Sequence, residues 1–157
     1  MLFQLEDYLT FENIFLWSSL GVLPFWFMLI LIPNSKITQF FVNSIILPLL
    51  LTTMYVYIIY QAFLLDENML DFFKIFLSID DVYTAFATES FLIAFWVHFI
   101  ALNLFLGSWI SRDAVKYNIS RSLAFVPLLV VYFTGPIGLV LYWIIRVFYA
   151  KKLGLHD

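Results

Sequence analysis

The sequence predicts an all-α, polytopic membrane protein with four transmembrane helices in a single domain, residues 1–157. Hydrophobic residues make up 64% of the chain and charged residues 12%, whereas soluble domains are roughly 45–50% apolar and about 25% charged. The charges leave four uncharged stretches, residues 13–35, 37–65, 90–111 and 122–145. Each exceeds the roughly 20 residues that a helix needs to cross about 30 Å of hydrocarbon. Composition and charge spacing therefore predict a multi-pass integral membrane protein.

The first two helices are predicted over residues 13–31 and 38–64. Residues 32–35 end the first, because proline and small polar residues favour a turn. Two acidic residues and an asparagine, residues 66–68, end the second. The residues before the first helix are acidic, unlike the positive start of a cleaved signal peptide. We therefore expect the first helix to be retained.

The segment that follows, residues 69–88, mixes large apolar residues with charged ones. It is too polar to span a membrane and too apolar for a free loop, which predicts a short interfacial helix. The third and fourth helices are predicted over residues 90–109 and 123–147. An even number of crossings places the two termini on the same side of the membrane. Lysine and arginine then divide equally between the two sides, so the positive-inside rule predicts no orientation.

His98 is the most informative polar residue, because it lies near the middle of the third helix. Ionisable groups at membrane depth are costly unless partnered, and they often mark function. Two interpretations remain open: its ring nitrogens hydrogen-bond across the helix bundle, or it donates and accepts protons in a reaction. Glu89, at the start of the same helix, is the best-placed acid, although an ordinary charge at a helix N-terminus explains it equally well. No second histidine lies nearby, so we predict no metal site.

Other residues of the third and fourth helices are candidates for contact with a ligand. Trp96, Asn103 and Gly107 share one helix face at positions i, i+7 and i+11. An amide such as Asn103 also commonly bridges helices in lipid. Gly135 and Pro136 predict a kink with close backbone approach, either to a neighbouring helix or to a flat ligand. Kinks in the other three helices would leave a cleft beside the straight third helix, and we expect the ligand pocket to lie there.

Arg112 and Asp113 follow the third helix and are candidate ligand contacts, although the commoner explanation of such a pair is a solvated or headgroup-facing ion pair. Several classes of protein are excluded. The chain has no cysteine, so it has no disulfide or thiolate chemistry. It has no phosphate-binding loop or nucleophile elbow, and no basic run that would bind nucleic acid. We expect membrane lipid and a hydrophobic small molecule as partners, and no cofactor.

The third helix also carries a recognisable pattern. The segment from Trp96 to Trp109, followed by Arg112-Asp113-Ala114, resembles the W-x-H-Y-x-A-x-D-L-F-x-G-x-W and R-D-A signature of the abscisic-acid-deficient-four-like membrane family. Residues 127–139 resemble the family's closing P-x-L and G-P-x-G-L pattern. Two positions depart from it, because Asn103 stands where the family usually has Asp and Ser108 where it often has Arg. An amide cannot exchange a proton at neutral pH, so an acid role at position 103 is lost.

The resemblance implies a four-helix membrane protein related to carotenoid metabolism. The family's plant member is associated with forming neoxanthin from violaxanthin, an isomerisation in which an epoxide opens as a proton leaves carbon. This reaction needs an acid and a base but no redox cofactor, and His98 maps onto the family histidine. The first hypothesis is therefore a carotenoid- or terpenoid-modifying, cofactor-free isomerase of an epoxy-carotenoid. The alternative is a non-catalytic pigment- or lipid-binding accessory subunit of a larger membrane complex.

Overall fold

The computed structural model describes residues 8–44, 46–65 and 74–151, and throughout these ranges the regular structure is helical. Of residues 63–65 only the backbone is described. The helices longer than one turn are α1 (Phe11–Gly21), α2 (Leu23–Leu31), α3 (Lys36–Phe41), α4 (Ile46–Leu65), α5 (Ile79–Ala87), α6 (Glu89–Lys116), α7 (Arg121–Thr134) and α8 (Pro136–Ala150). The predicted all-α class is confirmed for this part of the chain.

In the described part of the chain, three segments are long and apolar enough to cross a membrane. They are Phe11–Leu31, Lys36–Ala62 and Glu89–Lys116, with 21, 27 and 28 residues. They overlap the first three predicted membrane helices. The predicted interfacial segment lies partly outside the described residues. Its described part contains α5, a nine-residue helix with two aspartates in its first turn and no buried residue.

Short polar side chains set two of the helix starts. Ser35 precedes α3, and its hydroxyl oxygen accepts a hydrogen bond from the backbone N–H of Thr38 at 3.0 Å. Ser120 caps α7 in the same way, accepting from the N–H of Leu123 at 3.4 Å. Each cap satisfies one of the backbone donors that the first turn of a helix leaves without a partner.

The contacts within the chain define two compact units. Unit 1 comprises Met1–Gly21 and Leu49–Phe99, and unit 2 comprises Val22–Pro48 and Ile100–Asp157. The buried core of unit 1 joins α1, α4 and α6 through small and branched apolar side chains: Ile14, Ile58, Ile93, Ala94 and Val97.

In unit 2, the region predicted as one kinked fourth helix is a hairpin of two helices. Residue 135 separates α7, with 14 residues, from α8, with 15. Gly135 has φ +61°, a backbone conformation that side chains with a Cβ rarely adopt. Gly138 lies directly against Val131 and the carbonyl of Pro127, seven and eleven residues earlier. In a continuous helix these residues would be about 10–16 Å away along the axis, so the chain has folded back on itself.

The contacts with α6 give the direction of each arm. Near the tip, Asn103 of α6 donates a hydrogen bond to the carbonyl of Tyr132. Further along α6, Asp113 contacts Tyr142 and Arg146 of α8. The arm α8 therefore runs in the same direction as α6, and α7 runs in the opposite direction. The prediction of one helix over residues 123–147 is wrong because Gly135 reverses the chain instead of kinking it.

Candidate functional site

His98 lies at the exposed surface of unit 1, on the tenth residue of α6. Its neighbour Val97 is fully buried in the core, so His98 projects away from that core. The imidazole ring lies beside the phenol ring of Tyr55 in α4, with ring centroids 5.9 Å apart and planes at 45°. The structure thus joins His98 to a neighbouring helix by a ring contact, with both side chains accessible from outside the unit.

Glu89, the predicted acid, does not accompany His98. The two residues are nine positions apart on α6, which separates them by about 13–14 Å along the helix axis. Glu89 is exposed and lines an open cavity of about 590 Å³, together with Thr10, Glu12, Tyr57 and Gln61. The acid and the base predicted from the sequence therefore lie in separate places within unit 1.

Trp96 is anchored to α1 of the same unit. Its indole Nε1 donates a hydrogen bond to the Ser19 hydroxyl at 2.8 Å. Its ring centroid lies 5.6 Å from that of Phe15 and 5.8 Å from that of Phe99. These three rings form an aromatic cluster whose members are half-buried or exposed. Such a cluster offers apolar area and ring faces to a conjugated ligand.

Asn103 and Gly135, two predicted ligand contacts, are brought together at the tip of the hairpin in unit 2. Asn103 is 4% exposed, and its Nδ2 donates to the carbonyl of Tyr132 at 3.4 Å. A Cβ at position 135 would collide with the Asn103 side chain. The amide thus satisfies one of the last carbonyls of α7, which have no partner within their own helix. Pro136 follows as the first residue of α8, a position where proline is favoured.

Gly107 permits another close contact in unit 2. A Cβ at this position would lie 2.6 Å from the ring of Trp26 in α2. Trp26 in turn packs edge-on against Tyr132, with centroids 5.4 Å apart. Ser108, at the position where the resembling family often has Arg, donates to the Asn43 side chain at 2.8 Å. Gly107 therefore allows α6 to pack closely against α2, and Ser108 joins α6 to the segment that follows α3.

Asp113 is held by an arginine far along the chain. Arg112 is exposed, whereas Arg146 of α8 is 1% exposed and places its Nε 2.8 Å from Asp113 Oδ2. The Tyr142 hydroxyl donates to the same oxygen at 2.7 Å, and Arg146 also donates to the Tyr117 hydroxyl at 3.3 Å. We call Asp113, Tyr117, Tyr142 and Arg146 the buried charge cluster. Its buried charges are paired and hydrogen-bonded, which is the condition for burial at acceptable cost.

Tyr117, Tyr142 and Arg146 of this cluster, like Tyr55, were not among the candidate residues predicted from the sequence. A usable signal existed for the cluster, because Asp113 and Tyr117, like Tyr142 and Arg146, are spaced i, i+4 and so share a helix face. The sequence held no such signal for Tyr55, because the chain has nine tyrosines and only tertiary packing shows which of them lies beside His98.

The cavity lined by α2, α6 and α7 in unit 2 has a volume of about 30 Å³. That is room for about one water molecule, so this cavity does not fit the predicted ligand. Among the described residues, no group of three or more His, Cys, Asp or Glu side chains is arranged to hold a metal ion.

Comparison with known proteins yields one family and one relative in particular. The family model described as ABA DEFICIENT 4-like matches residues 13–142. The chain is similar to Protein ABA DEFICIENT 4, chloroplastic, from Arabidopsis thaliana, with 22% identity over 124 residues. The aligned region covers 74% of this chain and 56% of the relative, so this chain spans little more than half the relative's length. No solved structure matches the chain.

Proposed function

The chain belongs to the ABA DEFICIENT 4-like family, and on that premise we propose that it is a multi-pass integral membrane protein that isomerises an epoxy-carotenoid or a related terpenoid. Among the residues that the structure describes, three helices are long and apolar enough to cross a membrane. In this arrangement α5 lies in the headgroup plane, with its apolar face toward the acyl chains. The observation that carries the catalytic part of the proposal is the ring contact between exposed His98 and half-buried Tyr55.

The pair supplies the two groups that opening an epoxide to an allene requires. His98 accepts the proton as the carbon–hydrogen bond breaks, and the released electron pair forms the new carbon–carbon double bond. The carbon–oxygen bond of the epoxide breaks, and the oxygen takes the proton of the Tyr55 hydroxyl. Histidine and tyrosine are both competent in these roles. Return of the proton from His98 to Tyr55 restores both side chains, so the reaction is redox-neutral.

Exposure suits this role for a substrate dissolved in the bilayer. A carotenoid approaches from the acyl chains, and it reaches His98 without entering a closed cavity. The aromatic cluster of Phe15, Trp96 and Phe99 lies in the same unit. Two of its members, Trp96 and Phe99, lie on either side of His98 in the sequence of α6. Its rings supply apolar contact area for the polyene. This cluster also supports the alternative function, a non-catalytic pigment- or lipid-binding subunit of a larger membrane complex.

Conversion of a 5,6-epoxy carotenoid by the purified protein in detergent or vesicles tests the proposal. His98→Phe and Tyr55→Phe keep an aromatic ring at each position, so the packing between α4 and α6 is retained. We expect each variant to lower the rate of conversion by about 10²–10⁴-fold, the usual contribution of a positioned acid or base. Glu89→Gln is the matched control, and we expect it to convert normally.

Three results would contradict the proposal. Full conversion by His98→Phe would exclude the histidine as the base. Pigment that co-purifies with the wild-type protein but is never converted would exclude catalysis and favour the binding subunit. Release of the protein from membranes by an alkaline wash would contradict the integral placement.

A further inference from the structure

The hairpin of α7 and α8 begins and ends at the same level of unit 2. At its start, Arg121 donates a hydrogen bond to the carbonyl of Leu31, the last residue of α2. At its end, Arg146 contacts Tyr117, just beyond the last residue of α6. Its tip lies beside Asn103, the fifteenth of the 28 residues of α6. The hairpin therefore reaches about halfway along α6 and returns.

Neither arm is long enough to cross a bilayer by itself. Helices of 14 and 15 residues are about 21–23 Å long, against about 30 Å of hydrocarbon. Non-helical backbone at membrane depth is tolerated only where protein buries it and satisfies its polar groups. The tip meets this condition, because Gly135 is buried and the Asn103 amide serves the carbonyl of Tyr132.

We propose that α7 and α8 form a re-entrant hairpin, which enters and leaves the membrane on the side where α6 ends. The proposal rests on the integral membrane placement given above. The chain then crosses the membrane three times, through Phe11–Leu31, Lys36–Ala62 and Glu89–Lys116. Its C-terminus lies on the opposite side from its N-terminus, whereas four crossings would place both termini on one side.

This topology also resolves the orientation. Over residues 22–44, 46–48 and 100–151, the described part of unit 2, the exposed cations fall at the end of the unit where α2 and α6 end and the hairpin opens: Lys36, Arg112, Lys116, Arg121 and Lys151. Relative to four crossings, the re-entrant hairpin moves Arg146, Lys151 and the adjoining Lys152 to this side. Lys74 is then the one lysine or arginine that the sequence assigns to the other side. The positive-inside rule places the cationic end on the side from which the protein is inserted, which is the cytoplasmic side in a bacterial host.

The absence of cysteine from the sequence makes single-cysteine labelling a direct test, since no background thiol has to be removed. Tyr8→Cys, Lys116→Cys and a cysteine added after Asp157 report the N-terminus, the end of α6 and the C-terminus. Tyr8 is 63% exposed, and Lys116 is exposed at the end of its helix, so both substitutions spare the core. A membrane-impermeant maleimide is applied to right-side-out and to inverted vesicles, and a permeant maleimide gives the total thiol.

We expect Lys116→Cys and the C-terminal cysteine to label at least tenfold better in inverted vesicles. Tyr8→Cys should show the opposite preference. Labelling of the C-terminal cysteine from the same side as Tyr8→Cys would overturn the re-entrant hairpin. Labelling of Lys116→Cys from the outer face and of Tyr8→Cys from the inner face would overturn the orientation. An alkaline wash of the same vesicles tests integral placement separately, so failure of the proposed function is distinguished from failure of the topology.

Discussion

The buried charge cluster gives the sharpest prediction for stability. Arg146 and Asp113 are 1% and 10% exposed, and Nε of the arginine lies 2.8 Å from Oδ2 of the carboxylate. Asp113→Asn removes the negative charge while keeping the shape of the side chain, so the buried Arg146 guanidinium loses the carboxylate that its Nε contacts at 2.8 Å. Removal of one partner from a buried ion pair costs about 3–5 kcal/mol. We expect a loss of this size in the free energy of unfolding.

The assay is unfolding in mixed micelles by increasing the fraction of a denaturing detergent, followed by tryptophan fluorescence. Trp109 reports on the cluster directly, because its ring lies edge-on to Tyr142 with centroids 5.7 Å apart. Arg112→Gln is the matched control, and this exposed neighbour should change the unfolding free energy by less than about 0.5 kcal/mol.

A double variant separates the loss of the Asp113–Arg146 ion pair from a general packing defect. Asp113→Leu combined with Arg146→Met removes both charges and keeps side chains of similar volume. Replacing a whole buried pair by apolar residues is often neutral, so the double variant should be more stable than Asp113→Asn. A stability of Asp113→Asn equal to that of the wild type would refute the reasoning, as would a double variant no better than the single one.

Two further predictions concern packing in unit 2, and both use the same unfolding assay. Gly107→Ala forces a methyl group against the ring of Trp26 and should lower the free energy of unfolding by about 1–3 kcal/mol. A Cβ at Gly21 meets nothing within 4 Å, so the control Gly21→Ala should leave the free energy of unfolding unchanged. Equal losses in the two variants would exclude the contact between position 107 and Trp26. Asn103→Leu removes the donor to the Tyr132 carbonyl and should lower the free energy of unfolding by about 0.5–2 kcal/mol. The side chain of Asn103→Asp donates the same hydrogen bond when it is protonated, so this variant should lose less stability. If Asn103→Asp lost conversion of the carotenoid at unchanged stability, a purely structural role for Asn103 would be contradicted.

The length and position of the apolar segments were predictable from the sequence, because the cost of burying charge in hydrocarbon confines charged residues to the ends of spanning helices. The predicted third helix begins within one residue of the observed start of α6 at Glu89. The end of the first helix was also predictable from Pro33 and its polar neighbours, where α2 ends at Leu31.

The hairpin was not predictable in the same way. Glycine followed by proline after an apolar run is compatible with a kink in a helix or with a full reversal of the chain. Glycine lifts the steric constraint that a Cβ imposes on the backbone, and proline lacks a backbone N–H donor, so neither residue fixes the direction of the next segment. The choice depends on what the second arm packs against. Here Asp113 binds Arg146, and Gly138 permits close packing against α7. In the sequence, Arg146 follows an uncharged stretch and resembles an ordinary flanking charge at the end of a membrane helix.

The position of Asn103 connects the departure from the family pattern with the proposed reaction. The family pattern that the sequence resembles has an acid there, and the sequence alone left open whether its loss removes catalysis. The structure gives the amide a different task, because its N–H group satisfies the carbonyl of Tyr132 at the tip of the hairpin. A carboxylic acid held protonated by burial can make the same hydrogen bond, so the two residue types are interchangeable for this purpose. The proposed acid and base, Tyr55 and His98, both lie in unit 1 and make no use of position 103. Replacement of the family aspartate by asparagine is therefore compatible with an active isomerase.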